Sequence, residues 1–236
     1  FVTIYSTFLQ RGYDEVNHDI ARMGGNVVVG IDRCGVIGED GVSHQGIFDV
    51  SLLLPVPGII LAQGRDAAES ARLLATGFTA EGPYFLRYSK NAMPEQPLSR
   101  EPLPIGRWER LREGEITVIT YGDFVGEAEE AARLLEMDGI CMGLVNARFL
   151  KPYDAEMMNT LLAEGKPLLV YEEVAGIGGL GSLLQQVAAG QESRTPVHSL
   201  ALPDRWIYHG KRRELLRRMG LDAAGLRKTV RELLGR

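Results

Sequence analysis

The chain has 236 residues, a formal net charge of −5, 45 % apolar and 24 % charged residues. This is length for one large domain or two small ones, and the balance excludes a disordered chain. No apolar run approaches the ~20 residues that a bilayer span needs, so no membrane segment is expected.

Cys34 and Cys141, 107 positions apart, form no CxxC pair and no disulfide framework. A reducing cytoplasm is the expected location. The opening FVTIYSTFLQRGYDE has neither a basic leader nor a cleavable apolar stretch, so no signal peptide is expected. It also lacks an initiator Met, which suggests a start further upstream.

In chain order, Val2–Tyr5 predicts a short strand ending at the good cap residues Ser6 and Thr7. A helical pattern follows, with Phe8, Leu9, Tyr13, Val16, Ile20 and Ala21 at three- to four-residue spacing, until Gly24-Gly25 stops it. The β-branched run Asn26–Ile31 predicts a buried strand, and Asp32–Gln45 a long Gly-containing loop. A short helix over Gly46–Leu53 is broken by Pro55 and Pro57. Ile59–Gln63 is the next strand, Asp66 caps a helix around Ala67–Ala75, and Tyr84–Tyr88 is another strand. Asn91–Pro104 carries four prolines (Pro94, Pro97, Pro102, Pro104) and reads as the domain boundary.

The alternation then restarts. Strands are predicted over Ile116–Tyr121, Cys141–Val145, Pro167–Tyr171 and Val197–Leu202. Helices are predicted over Val125–Glu136, Ala155–Leu162 and Leu183–Ala189, with two more at the C-terminus. Alternating strands and ten-residue helical patterns give an α/β fold: two open, mainly parallel sheets flanked by helices. The expected division is 1–100 and 113–236, with 101–112 as linker.

From Arg205 to Arg236 there are ten Lys/Arg against three Asp/Glu. Their placement among LLRRMG and LRKTVRELLG predicts amphipathic helices with a solvated basic face, so no nucleic-acid partner is expected.

In open parallel sheets, ligands bind beyond the carboxyl ends of the strands. Two segments lie there: Tyr5–Arg11 after the first strand and Asp32–Gly46 after the second. The second is polar and glycine-rich, which favours ligand contact over a plain solvent-facing turn. Arg11 and Arg33 can fork onto a phosphate or carboxylate. His44 can move a proton or bond a hydroxyl, and Asp40 can orient it or bind a substrate hydroxyl. Tyr5 and Phe8 can line a slot for a flat ring. No activated nucleophile is evident. The four histidines, His18, His44, His198 and His209, show no metal-ligand spacing, so no metal site is expected in this chain. The run Gly176–Gly181 before a helix is a weak nucleotide signal and reads better as a tight turn.

The motifs YSTFLQRGYD, DRCGVIGEDGVSHQGIFDVSLL, LRYSK before a Pro-rich linker and PIG, ARFLKPYD, YEE…GGLGS, LPDRWI and MGLDAAGL occur in this order. In them the chain resembles the 1-deoxy-D-xylulose-5-phosphate synthase family of transketolase-like enzymes, over essentially its whole length. The pattern DRxGxxGxDGxxHQGxFD is the most specific part.

The resemblance implies the later part of a pyrimidine-binding domain followed by a C-terminal domain. It implies a transferase that uses thiamine diphosphate and Mg2+ to condense pyruvate with glyceraldehyde 3-phosphate, losing CO2, on the way to isoprenoids and thiamine. It also implies a dimer. On it, Tyr5 and Phe8 surround the aminopyrimidine ring and Arg11 lies near cofactor and substrate. Arg33 and Lys90 bind the aldehyde's phosphate, and Asp40 and His44 contact its hydroxyl and carbonyl groups.

Two departures stand out. The family reads RYPR where this chain has Arg87-Tyr88-Ser89-Lys90; Lys keeps the charge without the bidentate fork. The family's activating glutamate and its metal and diphosphate loop belong to upstream regions. The chain alone is therefore expected to bind the cofactor poorly and not to turn over, needing the missing N-terminal region or a companion chain. A β-type subunit of another thiamine-dependent enzyme, or a non-catalytic assembly module, are the alternatives.

Overall fold

A computed structural model describes residues 1–91 and 96–236. Pro94, one of the four boundary prolines, lies outside the described residues.

The N-terminal part opens with strand β1 (Val2–Tyr5) and helix α1 (Ser6–Leu9). The helical run continues through a tight turn at Gln10–Gly12, α2 (Tyr13–Glu15) and a wide turn at Val16–Ala21. Then come β2 (Val28–Asp32), a single turn at Val42–His44, α3 (Asp49–Leu53), β3 (Ile60–Gln63), α4 (Ala67–Thr79) and β4 (Tyr84–Arg87). The second part contains β5 (Glu109–Arg112), β6 (Ile116–Thr120), α5 (Phe124–Met137), β7 (Met142–Asn146), β8 (Phe149–Lys151) and α6 (Ala155–Glu164). It closes with β9 (Leu168–Ala175), α7 (Leu180–Gly190), β10 (Val197–Leu202), α8 (Arg212–Arg218) and α9 (Ala223–Leu233).

Among the described residues two five-stranded sheets result, ordered β1-β2-β4-β3-β8 and β10-β9-β6-β7-β5. Within each, four strands run parallel and one edge strand is antiparallel: β8 against β3, and β5 against β7. The α/β class with mainly parallel sheets is therefore as the sequence implies. Asp66 caps α4 as expected, its Oδ1 accepting from the Glu69 amide at 2.8 Å. The basic C-terminal segment forms two amphipathic helices that bury Leu215, Leu216, Leu226 and Val230.

Two features differ from the sequence reading. Residues 109–112, read as the end of the linker, form edge strand β5. Residues 149–151, given no element, leave the second part and complete the first sheet as β8. Both strands are too short to show a periodicity of their own, and both are secured by long-range contacts. Trp108 donates its indole N–H to the Phe149 carbonyl at 2.7 Å, and its amide bonds Asp154 Oδ2 at 2.9 Å. Phe149 is fully buried with Leu73, Tyr84 and Leu86. Fully burying such a side chain contributes about 1.5–3 kcal/mol toward holding the strand in place.

The two parts also share one core, in which Leu9, Val29, Leu53 and Phe85 pack with Ile119, Tyr121, Val145 and Val174. Strand register sets where the polar groups emerge. Tyr5 sits opposite Asp32, and Ile31 opposite Arg87, so the carboxyl ends of β1, β2 and β4 lie side by side.

Candidate active site

Strand ends place the first groups. Tyr5 is the last residue of β1 and Arg33 follows the last residue of β2. Arg33 takes a left-handed backbone conformation, φ 57°, a strained state for a bulky side chain and one that clusters at functional sites. Its guanidinium lies over the Tyr5 ring, 4.7 Å from the centroid, and Nη1 bonds Asp32 Oδ2 at 3.0 Å.

The loop between Gly35 and Gly46 is closed at its base by two backbone hydrogen bonds, Gly35 N to Gly46 O at 2.7 Å and the reciprocal bond at 2.9 Å. Closure of the base brings Asp40 and His44 back over β1. Tyr5 donates its hydroxyl to Asp40 Oδ2 at 3.0 Å and lies 3.3 Å from the His44 carbonyl. Thr7 donates to the Ser43 carbonyl at 2.8 Å, and Ser43 Oγ lies 2.9 Å from His44 Nδ1. The rings of Tyr5, Phe8 and His44 are mutual neighbours, with centroids 5.3–5.9 Å apart. Phe8 is 45 % exposed, so this aromatic group presents an open face.

Electrostatics follow the geometry. Burial of the phenol, the bond to Asp40 and that carboxylate's charge push Tyr5 up to about 12, against the opposing pull of Arg33. Tyr5 therefore keeps its proton at neutral pH and serves as a donor.

Five of the sequence-derived site residues, Tyr5, Phe8, Arg33, Asp40 and His44, thus converge. Arg11 and Lys90 stand on other segments. Arg11 stands on the exposed tight turn at Gln10–Gly12. Lys90 lines a neighbouring cavity of about 250 Å³ with Glu39, Ile37 and Arg212.

Behind the site is a buried polar network that the sequence reading missed. Arg87 and Asp49, each 1 % exposed, form a bidentate pair: Nε to Oδ2 at 2.8 Å and Nη2 to Oδ1 at 2.9 Å. Arg87 also donates to Gln63 Oε1. Tyr121 donates to Glu172 Oε2 at 2.8 Å, and the same carboxylate accepts the Leu180 and Gly181 amides at 3.0 and 2.9 Å. The Gly176–Gly181 turn thus delivers its amides to a glutamate of its own chain. Burial pushes the Cys34 thiol well up, with Asp49 beside it, so it stays a thiol. An arginine inside the apolar run YFLRY was the one sequence signal for this network. Thr7 and Gln45 carried none apart from their neighbours.

Among the described residues, no group of three or more His, Cys, Asp or Glu is arranged to hold a metal ion, and no helix is long and apolar enough to cross a membrane.

Comparison with known proteins identifies the family. The transketolase pyrimidine-binding domain model matches residues 1–96, and the transketolase C-terminal domain model matches residues 106–226. The 1-deoxy-D-xylulose-5-phosphate synthase of Bacillus velezensis is 40 % identical over 239 residues, covering 99 % of this chain and 38 % of the relative. That of Bacillus cereus (strain B4264) is 42 % identical over 227 residues, covering 94 % and 36 %. The chain therefore spans less than two fifths of the length of these curated relatives.

Among solved structures, a split gene transketolase described as an inactive beta4 tetramer superimposes with a TM-score of 0.84 at 28 % identity, covering 98 % of this chain and 74 % of that one. A transketolase mutant from Pichia stipitis, 18 % identical with a TM-score of 0.74 over 98 % of this chain and 33 % of that one, shares the fold. With both domain models matched and synthase relatives at 38–42 % identity along nearly its full length, the chain belongs to the transketolase family, within which it is similar to the 1-deoxy-D-xylulose-5-phosphate synthases.

Proposed function

We propose that this chain forms the substrate-facing wall of a thiamine-diphosphate-dependent transferase that condenses pyruvate with glyceraldehyde 3-phosphate, with loss of CO2. The observation that carries the reading is the convergence of Tyr5, Arg33, Asp40 and His44 at the ends of β1 and β2. A guanidinium, a phenol donor, a carboxylate and an imidazole are the groups needed to hold a phosphorylated hydroxyaldehyde and move a proton at its carbonyl.

The open face of Tyr5, Phe8 and His44 suits one flat ring of the cofactor. In this reading the diphosphate and Mg2+ are held by an N-terminal region or a companion chain. When bound, the cofactor supplies the carbon nucleophile. This chain's residues then do the rest. Arg33 and Lys90 hold the phosphate dianion, and Arg11 guides the approach of substrate and cofactor. Asp40 binds the aldehyde hydroxyl, and His44 delivers a proton to the carbonyl oxygen as it gains charge. We include in this proposal the division into units 1–100 and 113–236, a homodimer and a cytoplasmic setting.

The test is activity with pyruvate and glyceraldehyde 3-phosphate after the N-terminal region has been supplied. His44→Ala is expected to lower kcat by 10²–10⁴-fold, the usual worth of a general acid or base. Full activity of that variant, or no turnover by the assembled wild type, would overturn the reading. A second reading is a β-type subunit of a split enzyme with another acceptor. It is favoured by the TM-score of 0.84 to the split gene transketolase, and would be revealed by turnover with an unphosphorylated or longer acceptor instead.

A further inference from the structure

The 33–46 loop carries three of the converging groups, and several of its ties come from the second part of the chain. Val36 donates its amide to Glu173 Oε1 at 3.0 Å. Glu173 lies in β9 and is gripped by Arg212 at the start of α8, Nε to Oε1 at 2.9 Å and Nη2 to Oε2 at 2.5 Å. The two side chains are only 12 % and 25 % exposed. Gly38 accepts from the Gly210 amide at 3.1 Å. Gln45 uses its carbonyl for the Ile37 amide at 2.8 Å and its NH2 for the Ile207 carbonyl at 3.2 Å. Ile47 accepts from the Ala175 amide at 3.0 Å. The ties bracket Asp40 and His44 on both sides.

Two glycines show how closely the parts approach. At Gly35, φ +86°, a Cβ would stand 2.7 Å from the Glu173 carboxylate; at Gly38, φ +68°, it would stand 2.4 Å from the Gly210 carbonyl. Both positions need the left-handed backbone and the missing side chain for the loop to lie against the second part.

We propose that Glu173 and Arg212 form a positioning pair: through the Val36 amide they hold the 33–46 loop so that Arg33, Asp40 and His44 face one another. The second part of the chain thereby acts as a clamp on the site. The clamp's value to catalysis rests on the proposed function; the clamp itself does not.

Hydrogen exchange of the whole 236-residue chain tests it, read by mass spectrometry on peptides covering 34–46, β6 and β9. Glu173→Ala is expected to speed exchange in 34–46 at least ten-fold while β6 and β9 stay unchanged. Arg212→Lys, which keeps the charge but loses the fork, is expected to give a smaller increase confined to the same peptide. It also tests the pair if Glu173→Ala does not fold. Tyr5 supplies a second readout: with Asp40 no longer held at 3.0 Å, the phenol is expected to titrate at lower pH in either folded variant. Unchanged exchange in 34–46, an equal rise in β6 and β9, or an unmoved Tyr5 titration would each overturn the proposal. Failure of glyceraldehyde 3-phosphate to bind the assembled wild type would instead sink the functional reading and leave the clamp standing.

Discussion

The Tyr5 hydroxyl reaches the Asp40 carboxylate, 35 residues along the chain, at 3.0 Å. The bond joins the end of the first strand to the tip of the glycine loop and leaves a neutral donor beside a charged acceptor. Burial is the larger cause of the raised phenol value, with Asp40 second. Asp40→Asn is therefore expected to return Tyr5 only part of the way from about 12 toward 10. A difference ultraviolet titration against Tyr5→Phe measures it, and an unshifted curve would remove Asp40 as a cause.

The Arg87–Asp49 pair links the last residue of β4 to the first turn of α3, four positions beyond Gln45. Burial opposes the Arg87 charge, and the Asp49 carboxylate leads the groups that together outweigh it. Removing one member leaves the other charge buried and unpaired, a loss of about 3–5 kcal/mol. Asp49→Asn is expected to lower the unfolding free energy by that amount in a urea titration. A loss below about 1 kcal/mol, the range of exposed pairs, would show that water reaches Arg87.

Lys90 stands where the resembling family has an arginine, and it lines a cavity shared with Arg212 and Glu39. A lysine contacts phosphate as a point charge, an arginine as a fork. In the assembled enzyme Lys90→Arg is expected to lower the KM for glyceraldehyde 3-phosphate several-fold with kcat little changed. An unchanged KM would place Lys90 outside the phosphate site.

Asp138 accepts from Arg227 at 2.7 and 2.6 Å and pairs with Arg231 at 3.1 Å. The Arg227 bonds lead in lowering its carboxyl from 3.8 to about 2. Because the folded value is the lower one, the stabilisation is fully present above 3.8 and is lost as pH falls toward about 2. The Tm of the wild type is expected to drop through this window more steeply than that of Asp138→Asn. Parallel Tm curves would show that α9 is not held there by this carboxylate.

The alternation of apolar runs with three- to four-residue periodicities was enough to give the α/β class, most strands, the Asp66 cap and the amphipathic C-terminal helices. These are local consequences of side-chain spacing, and burial of one face or stripe decides them. The polar loop after β2 was also legible, because Arg33, Asp40 and His44 stand out among glycines beyond a buried strand. Three things were decided only in the tertiary structure. Strand β8 joins the first sheet because Phe149 fills a cavity built by α4 and β4, residues far away in sequence. Arg87 and Asp49, 38 positions apart, become a pair because register and α3 bring them together inside a low-dielectric core. Glu173 meets Val36 across 137 positions, and that distance hides from any local pattern the groups that hold the loop. Short-range spacing fixes which face of an element is buried. Which elements share that burial, and which charges must then neutralise each other, depends on chain segments that meet only when the core closes.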